Sequence, residues 1–243
     1  MNPTVWLIAM PVIGYVLGSI PHGLIVVYLF TGKDIRKEHS GRTGGTNAAR
    51  VGGRWPGIIT TILDGLKGAV AVWLAQWLLA GQPLQPWGEV LAGVAAVLGH
   101  NYSMFLPERK TDETGRTYFK LGGGAGGATS TGASVGLWGW NLFIVPVVGL
   151  GVLFGLGYAS VATLSAGLTI TLVMLLRWLI AGTSPVYMLY GLGVFVLQVI
   201  ALRPNIKRLM RGEERLIGWR AKRRAARLAA QAEQPQADSG ARS

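Results

Sequence analysis

Residue types that could do chemistry gather in four places along the chain. The first is Ser40-Gly41-Arg42-Thr43-Gly44-Gly45-Thr46-Asn47-Ala48-Ala49-Arg50, where two arginines flank a run of Gly, Ser, Thr and Asn. Glycines let backbone N–H groups approach an anion closely. Hydroxyls and an amide add donors, and Arg supplies a two-pronged fork for phosphate. A flexible basic loop has the same composition, so both readings stand. The second place is Lys120-Leu121-Gly122-Gly123-Gly124-Ala125-Gly126-Gly127-Ala128-Thr129. Such a run, opening an apolar helix, suits either a phosphate cradle at a helix N-terminus or the small-residue packing common between membrane helices. It is not a Walker A loop, because no Gly-Lys-Ser/Thr follows.

The third place is Asp64 with Lys67, three residues apart inside an apolar run. On a helix they share a face and can pair. A charge within a bilayer costs roughly 2.5–3.5 kcal/mol on insertion scales, so such residues face a polar cavity or each other. The fourth is His100-Asn101 at the end of another apolar run. An imidazole there can take a proton from a hydroxyl nucleophile; a plain hydrogen-bonding role fits equally. Ser160 and Asn205 also fall near the ends of apolar runs, and Arg177 beside Trp178 reads as a snorkelling cation.

The elements that must position these groups follow from composition. The 243 residues are 50% hydrophobic and only 14% charged, against roughly 25% charged in an ordinary soluble domain. Residues 121–176 contain no Asp, Glu, Lys or Arg, and a membrane span needs only about 20 apolar residues. A typical cytosolic enzyme is therefore excluded. There are no cysteines, which removes disulfides, thiolate metal sites and a cysteine acyl-enzyme. His22, His39 and His100 show no zinc spacing, so the sequence implies neither a metal nor a cofactor.

Basic residues set the topology. They collect at residues 33–54, at 109–120 and from Arg203 onward, and such clusters accumulate in cytoplasmic loops. Residues 5–30 form one apolar run ending at the first cluster, which places the N-terminus outside. Residues 56–80 and 87–106 make a pair of spans turning at Gly81–Pro86. Residues 121–202 must then hold an even number of spans, and four fit, with turns at 139–141, 155–157 and 182–185. This predicts an all-α bundle of about seven transmembrane helices with a cytoplasmic C-terminus. Residues 1–218 form the membrane domain. Residues 219–243 form a basic cytoplasmic tail assigned as disordered; its basic stretch reads as a solvated helix held near anionic lipid headgroups rather than on nucleic acid, and its last dozen residues as disordered.

In order, Gly18-Ser19-Ile20-Pro21-His22-Gly23, Gly32-Lys33-Asp34-Ile35-Arg36, Ser40…Arg50, Asp64-Gly65-Leu66-Lys67-Gly68, Gly99-His100-Asn101, the glycine run, Tyr158-Ala159-Ser160 and Asn205-Ile206-Lys207-Arg208-Leu209 resemble one known family. It is that of the bacterial membrane glycerol-3-phosphate acyltransferases that use acyl phosphate, over about residues 10–218. The resemblance implies a seven-helix bundle in the inner (cytoplasmic) membrane with its site on the cytoplasmic face. It implies transfer of a fatty acyl group from acyl phosphate to the 1-hydroxyl of glycerol 3-phosphate, giving lysophosphatidic acid for phospholipid synthesis. The partners it implies are these two substrates, membrane lipid and an upstream enzyme that forms acyl phosphate.

By the same resemblance, Ser40 and Arg50 hold the acceptor phosphate, and Thr46 and Asn47 shape their loop. Gly123, Gly124 and Gly126 hold the donor phosphate and the developing oxyanion. Asp64, Lys67 and His100 belong to the pattern, and Ser160 and Asn205 complete a polar pocket. His100, Ser160 and Asn205 are the catalytic candidates, although a substrate phosphate can itself take the proton. The chain departs from the pattern at Ala125, where the family has Lys, at Gly157, where it has Arg, and at Ala201 and Leu202, where it has Arg-His. About ten residues near Glu108–Tyr118 are inserted. Arg42, Lys120 and Arg203 are the cations that could compensate. A divergent paralogue with another acceptor or no activity, and a membrane transporter, are the competing readings.

Overall fold

The computed structural model describes residues 3–240, with side chains through residue 230. The helices are α1 (Pro3–Ser19), α2 (His22–Thr31), α3 (Gly45–Gly52), α4 (Arg54–Leu78), α5 (Gln85–Asn101), α6 (Gly127–Leu137), α7 (Asn141–Leu156), α8 (Ala159–Ala181), α9 (Val186–Met210) and α10 (Trp219–Gly240). A short 3₁₀ turn, Ile35–Lys37, lies between α2 and α3. Among the described residues, four segments are helices long and apolar enough to cross a membrane: Pro3–Thr31, α4, α8 and α9; α7 is a shorter apolar helix. Their outward faces carry exposed large apolar side chains such as Leu29, Trp77, Leu179 and Ile180, as a lipid solvent allows.

One expectation is corrected, and two elements are sharpened. Within the apolar run 5–30 the chain forms two helices, α1 and α2. The helix breaks at Ile20-Pro21, because Pro has no N–H to give the ladder and clashes with the preceding turn. The architecture is not all-α, which corrects the expectation from sequence. The inserted segment is an antiparallel hairpin, β1 (Pro107–Thr111) with β2 (Thr117–Leu121). Its tip is closed by Asp112, whose Oδ1 accepts from the N–H groups of Thr114 and Arg116 at 3.0 and 2.9 Å, while Gly115 takes φ 82°. The basic stretch of the tail, read as a solvated helix, is helical in α10, which extends to Gly240. Its Ala, Arg, Leu and Gln are strong helix formers. Residues 241–243 lie outside the described residues.

The turns read at 139–141, 155–157 and 182–185 do separate α6, α7, α8 and α9, with Gly157 and Gly182 as left-handed C-caps. Close approach holds the bundle together. A Cβ at Gly18 would overlap the Ala96 carbonyl, so α1 lies directly on the α5 backbone. The apolar centre packs Val72, Val97, Ala133, Ile170, Met174 and Tyr190. Through it, α9 is tied to α6: Tyr190 Oη donates to the Ser130 carbonyl at 2.7 Å, and Gln198 Nε2 to Ser130 Oγ at 2.9 Å.

Beside the proline break sits a buried ionic cluster. Lys67 Nζ pairs with Asp64 Oδ1 at 2.9 Å and donates to the Ile20 carbonyl, also at 2.9 Å. The nitrogens His22 Nδ1 and His100 Nδ1 stand 3.3 and 3.6 Å from the same carboxylate oxygen. The break thus exposes a carbonyl, and the lysine satisfies it. Removing one partner of a buried pair costs about 3–5 kcal/mol. Lys67→Met should therefore lower the thermal unfolding midpoint of the detergent-solubilised protein markedly, and Asp64→Asn in the same chain should recover part of the loss. An unchanged midpoint in Lys67→Met would contradict this role.

Candidate active site

The first loop is built by Asn47. The two hydrogens on its Nδ2 are shared among the carbonyls of Arg42, Glu38 and Ile35, which lie at 2.9, 3.2 and 3.3 Å, and its Oδ1 accepts from Ser40 N–H at 3.4 Å. The amide is thereby spent on the loop, which then presents Ser40, Arg42, Thr46 and Arg50 to a cavity of about 640 Å³. Part of the presumed loop is helix α3, which sets Arg50 in its last turn.

Arg42 crosses from this loop to two distant segments. Its Nη1 donates to the Gly124 carbonyl at 2.9 Å, and its Nη2 to the Ala201 carbonyl and to Asn205 Oδ1, the latter at 3.3 Å. Burial pushes both Arg42 and Arg50 below their ordinary range. The positive charge of Arg208 adds to the shift at Arg42 and that of Arg215 at Arg50, while Glu214 opposes it at both. The mouth therefore concentrates guanidinium charge.

The glycine run divides into two parts. Gly123 and Gly124 are packing residues: a Cβ on Gly124 would overlap the His100 imidazole, and its N–H already donates to the His100 carbonyl at 2.8 Å. Neither lines the cavity. Gly126, Gly127 and Ala128 do. Gly126 takes φ 83° as the N-cap of α6, with no capping side chain, so the first turn of α6 starts beside the cavity with its N–H groups uncapped by a side chain.

Asp64, His100, Ser160 and Asn205 also border the cavity. Lys67 lies behind Asp64 and does not. Lys120 is exposed on β2, opposite Glu108, and Arg203 is exposed on α9; neither reaches the cavity. Among the charged lining residues, Arg208 stands in a quoted motif without an assigned role, and Glu214 and Arg215 were not singled out in the sequence. Buried Glu214 accepts from Asn205 Nδ2 at 2.8 Å, Arg208 Nε at 3.2 Å and Ser160 Oγ at 3.5 Å. Its signal was faint, one of two adjacent acids, Glu213 and Glu214, within a basic segment. Away from the mouth the cavity turns apolar and runs between α4 and α7, along Ile62, Leu66, Trp73, Val145, Leu150 and Leu153.

The glycerol-3-phosphate acyltransferase family model matches residues 8–212. A glycerol-3-phosphate acyltransferase of Anaeromyxobacter sp. (strain Fw109-5) is 36% identical over 218 residues, covering 88% of this chain and 98% of the relative. One from Staphylococcus haemolyticus (strain JCSC1435) is 32% identical over 219 residues, again covering 88% and 98%. A crystal structure of PlsY (YgiH), an integral membrane glycerol 3-phosphate acyltransferase, in its glycerol 3-phosphate form superposes with a TM-score of 0.71 at 28% identity, covering 87% of this chain and 96% of that one. The lysophosphatidic acid form gives 0.70 at 26% identity, covering 87% and 95%.

Hydrogen bonds to a charged group contribute about 1.5–3 kcal/mol. Arg42→Ala should therefore destabilise the protein by about that much, whereas Lys120→Ala, far from the cavity, should stay within about 0.5 kcal/mol. Denaturant unfolding of the two variants side by side makes the comparison; equal losses would refute the bridging role of Arg42.

Proposed function

The chain belongs to the glycerol-3-phosphate acyltransferase family, and from that premise we propose that its cavity joins acyl phosphate to glycerol 3-phosphate. One observation carries the reading: a single cavity has a guanidinium-rich polar mouth and an apolar arm between helices. Acyl phosphate is an anion on a fatty chain, and it fits that division. The phosphates enter the mouth, and the chain lies between α4 and α7.

Arg50 and Ser40 hold the acceptor phosphate. The N–H groups opening α6 face the donor phosphate and the carbonyl oxygen, where charge develops during attack. The 1-hydroxyl oxygen bonds to the acyl carbon, the bond from that carbon to the phosphate oxygen breaks, and lysophosphatidic acid and inorganic phosphate result. The hydroxyl proton ends on the released phosphate, which needs no side-chain base; His100, at the cavity wall, can relay it. Glu214 holds Ser160, Asn205 and Arg208 in register. An enzyme forming acyl phosphate must act upstream.

The same reading places seven crossings in the bacterial inner membrane: α1 with α2, then α4, α5, α6, α7, α8 and α9. The N-terminus is outside, and the mouth lies with the basic loops on the cytoplasmic face. Accessibility of terminal tags in intact cells should report an external N-terminus and an internal C-terminus; an external C-terminal tag would overturn the orientation. Arg50→Ala should raise the glycerol 3-phosphate KM roughly 10–150-fold, the loss of one charge-assisted bond to phosphate, with little change in the acyl phosphate KM. An unchanged acceptor KM in a folded variant would remove Arg50 from the acceptor site.

A further inference from the structure

The family model ends at residue 212, and α10 lies wholly beyond it. Residues 215–232 carry Arg215, Arg220, Lys222, Arg223, Arg224 and Arg227 and no acid. Within α10, Arg220, Arg223, Arg224 and Arg227 stand at i, i+3, i+4 and i+7, which puts them on one helical stripe. All four are exposed. They face a hollow of about 340 Å³ that Tyr158 and Trp219 help to line.

The stripe has a fixed position. Trp219 Nε1 donates to the Phe154 carbonyl in the last turn of α7 at 3.1 Å. The N–H of Ile217 donates to the Gly157 carbonyl in the α7–α8 turn at 2.8 Å. A basic stripe with Tyr and Trp is thus fastened to the ends of two bundle helices, at the level where such aromatic rings meet lipid headgroups.

We infer that α10 is an anionic-lipid docking helix, whose four arginines bind the phosphate headgroups of the leaflet around the cavity mouth. Charge complementarity selects this occupant. An anionic leaflet is a surface already beside the pinned end of the helix, and each cation near it strengthens partitioning about fivefold. The inference rests on the proposed function only in taking the α7–α8 turn to lie at the membrane boundary, which the tag experiment tests separately.

The test uses the full chain, whose lack of native cysteine allows a single label. Ala226→Cys carrying an environment-sensitive fluorophore is reconstituted in nanodiscs of phosphatidylcholine, with and without phosphatidylglycerol. Phosphatidylglycerol should shift the emission to the blue, and added salt should reverse the shift. Changing Arg220, Arg223, Arg224 and Arg227 together to Gln should abolish it, while the thermal midpoint of the bundle stays unchanged. Identical emission in the two bilayers, a shift that survives the fourfold change, or a response to a double-stranded oligonucleotide in place of phosphatidylglycerol would each overturn the inference.

Discussion

The structure depends on burying the Asp64 carboxylate inside an apolar bundle without leaving it unpaired. An isolated charge at that depth is expensive, and here the cost is met by grouping. Lys67 supplies the counter-charge from the next helical turn, and His22 and His100 approach from the break after α1 and from the end of α5. Pro21 opens the α1–α2 helix at the point where Lys67 can take up a freed carbonyl. Three stretches of chain are thus held in one register around a single oxygen. His100 in turn packs against the backbone of Gly124, and its carbonyl takes the Gly124 N–H. The glycine run is therefore positioned by the ionic cluster, and α6 starts where that run ends.

Arg42 works at the other side of the mouth. At the positions where the resemblance implies a lysine within the glycine run and Arg-His near the end of α9, this chain has Ala125, Ala201 and Leu202. The Arg42 guanidinium lies against the Gly124 and Ala201 carbonyls, bringing a cation next to both vacated positions from a third segment. Charge at a site is a property of space and not of sequence position, so departures in these two motifs are compatible with a cationic mouth. Glu214 moderates that charge and orders Ser160, Asn205 and Arg208 around itself.

Much of this was legible in the residues. The i, i+3 spacing of Asp64 and Lys67 implies their pair, and the glycines at 157 and 182 mark helix ends because a left-handed cap suits a residue without Cβ. The convergence of Ser40, Arg42, Thr46 and Arg50 on the cavity was readable because donors and cations sit close together along the chain. Contacts between distant segments were not readable. Nothing local distinguishes Arg42, which spans to α9, from Lys120, which points into solvent on the hairpin. The glycines read as one cradle divide into a packing half and a helix-opening half only because His100 approaches from α5. The hairpin was hidden by its charge, which resembles a loop, although Asp112 and Gly115 carry turn chemistry.

The central claim is that one cavity accommodates two phosphates at a cationic mouth and a fatty chain in an apolar arm. Its most direct test is the reaction of the purified protein in lipid with acyl phosphate and glycerol 3-phosphate. The account predicts lysophosphatidic acid and inorganic phosphate in equal amounts, with no metal or nucleotide added. Failure of the folded protein to consume acyl phosphate, or its hydrolysis without acyl transfer to glycerol 3-phosphate, would contradict it.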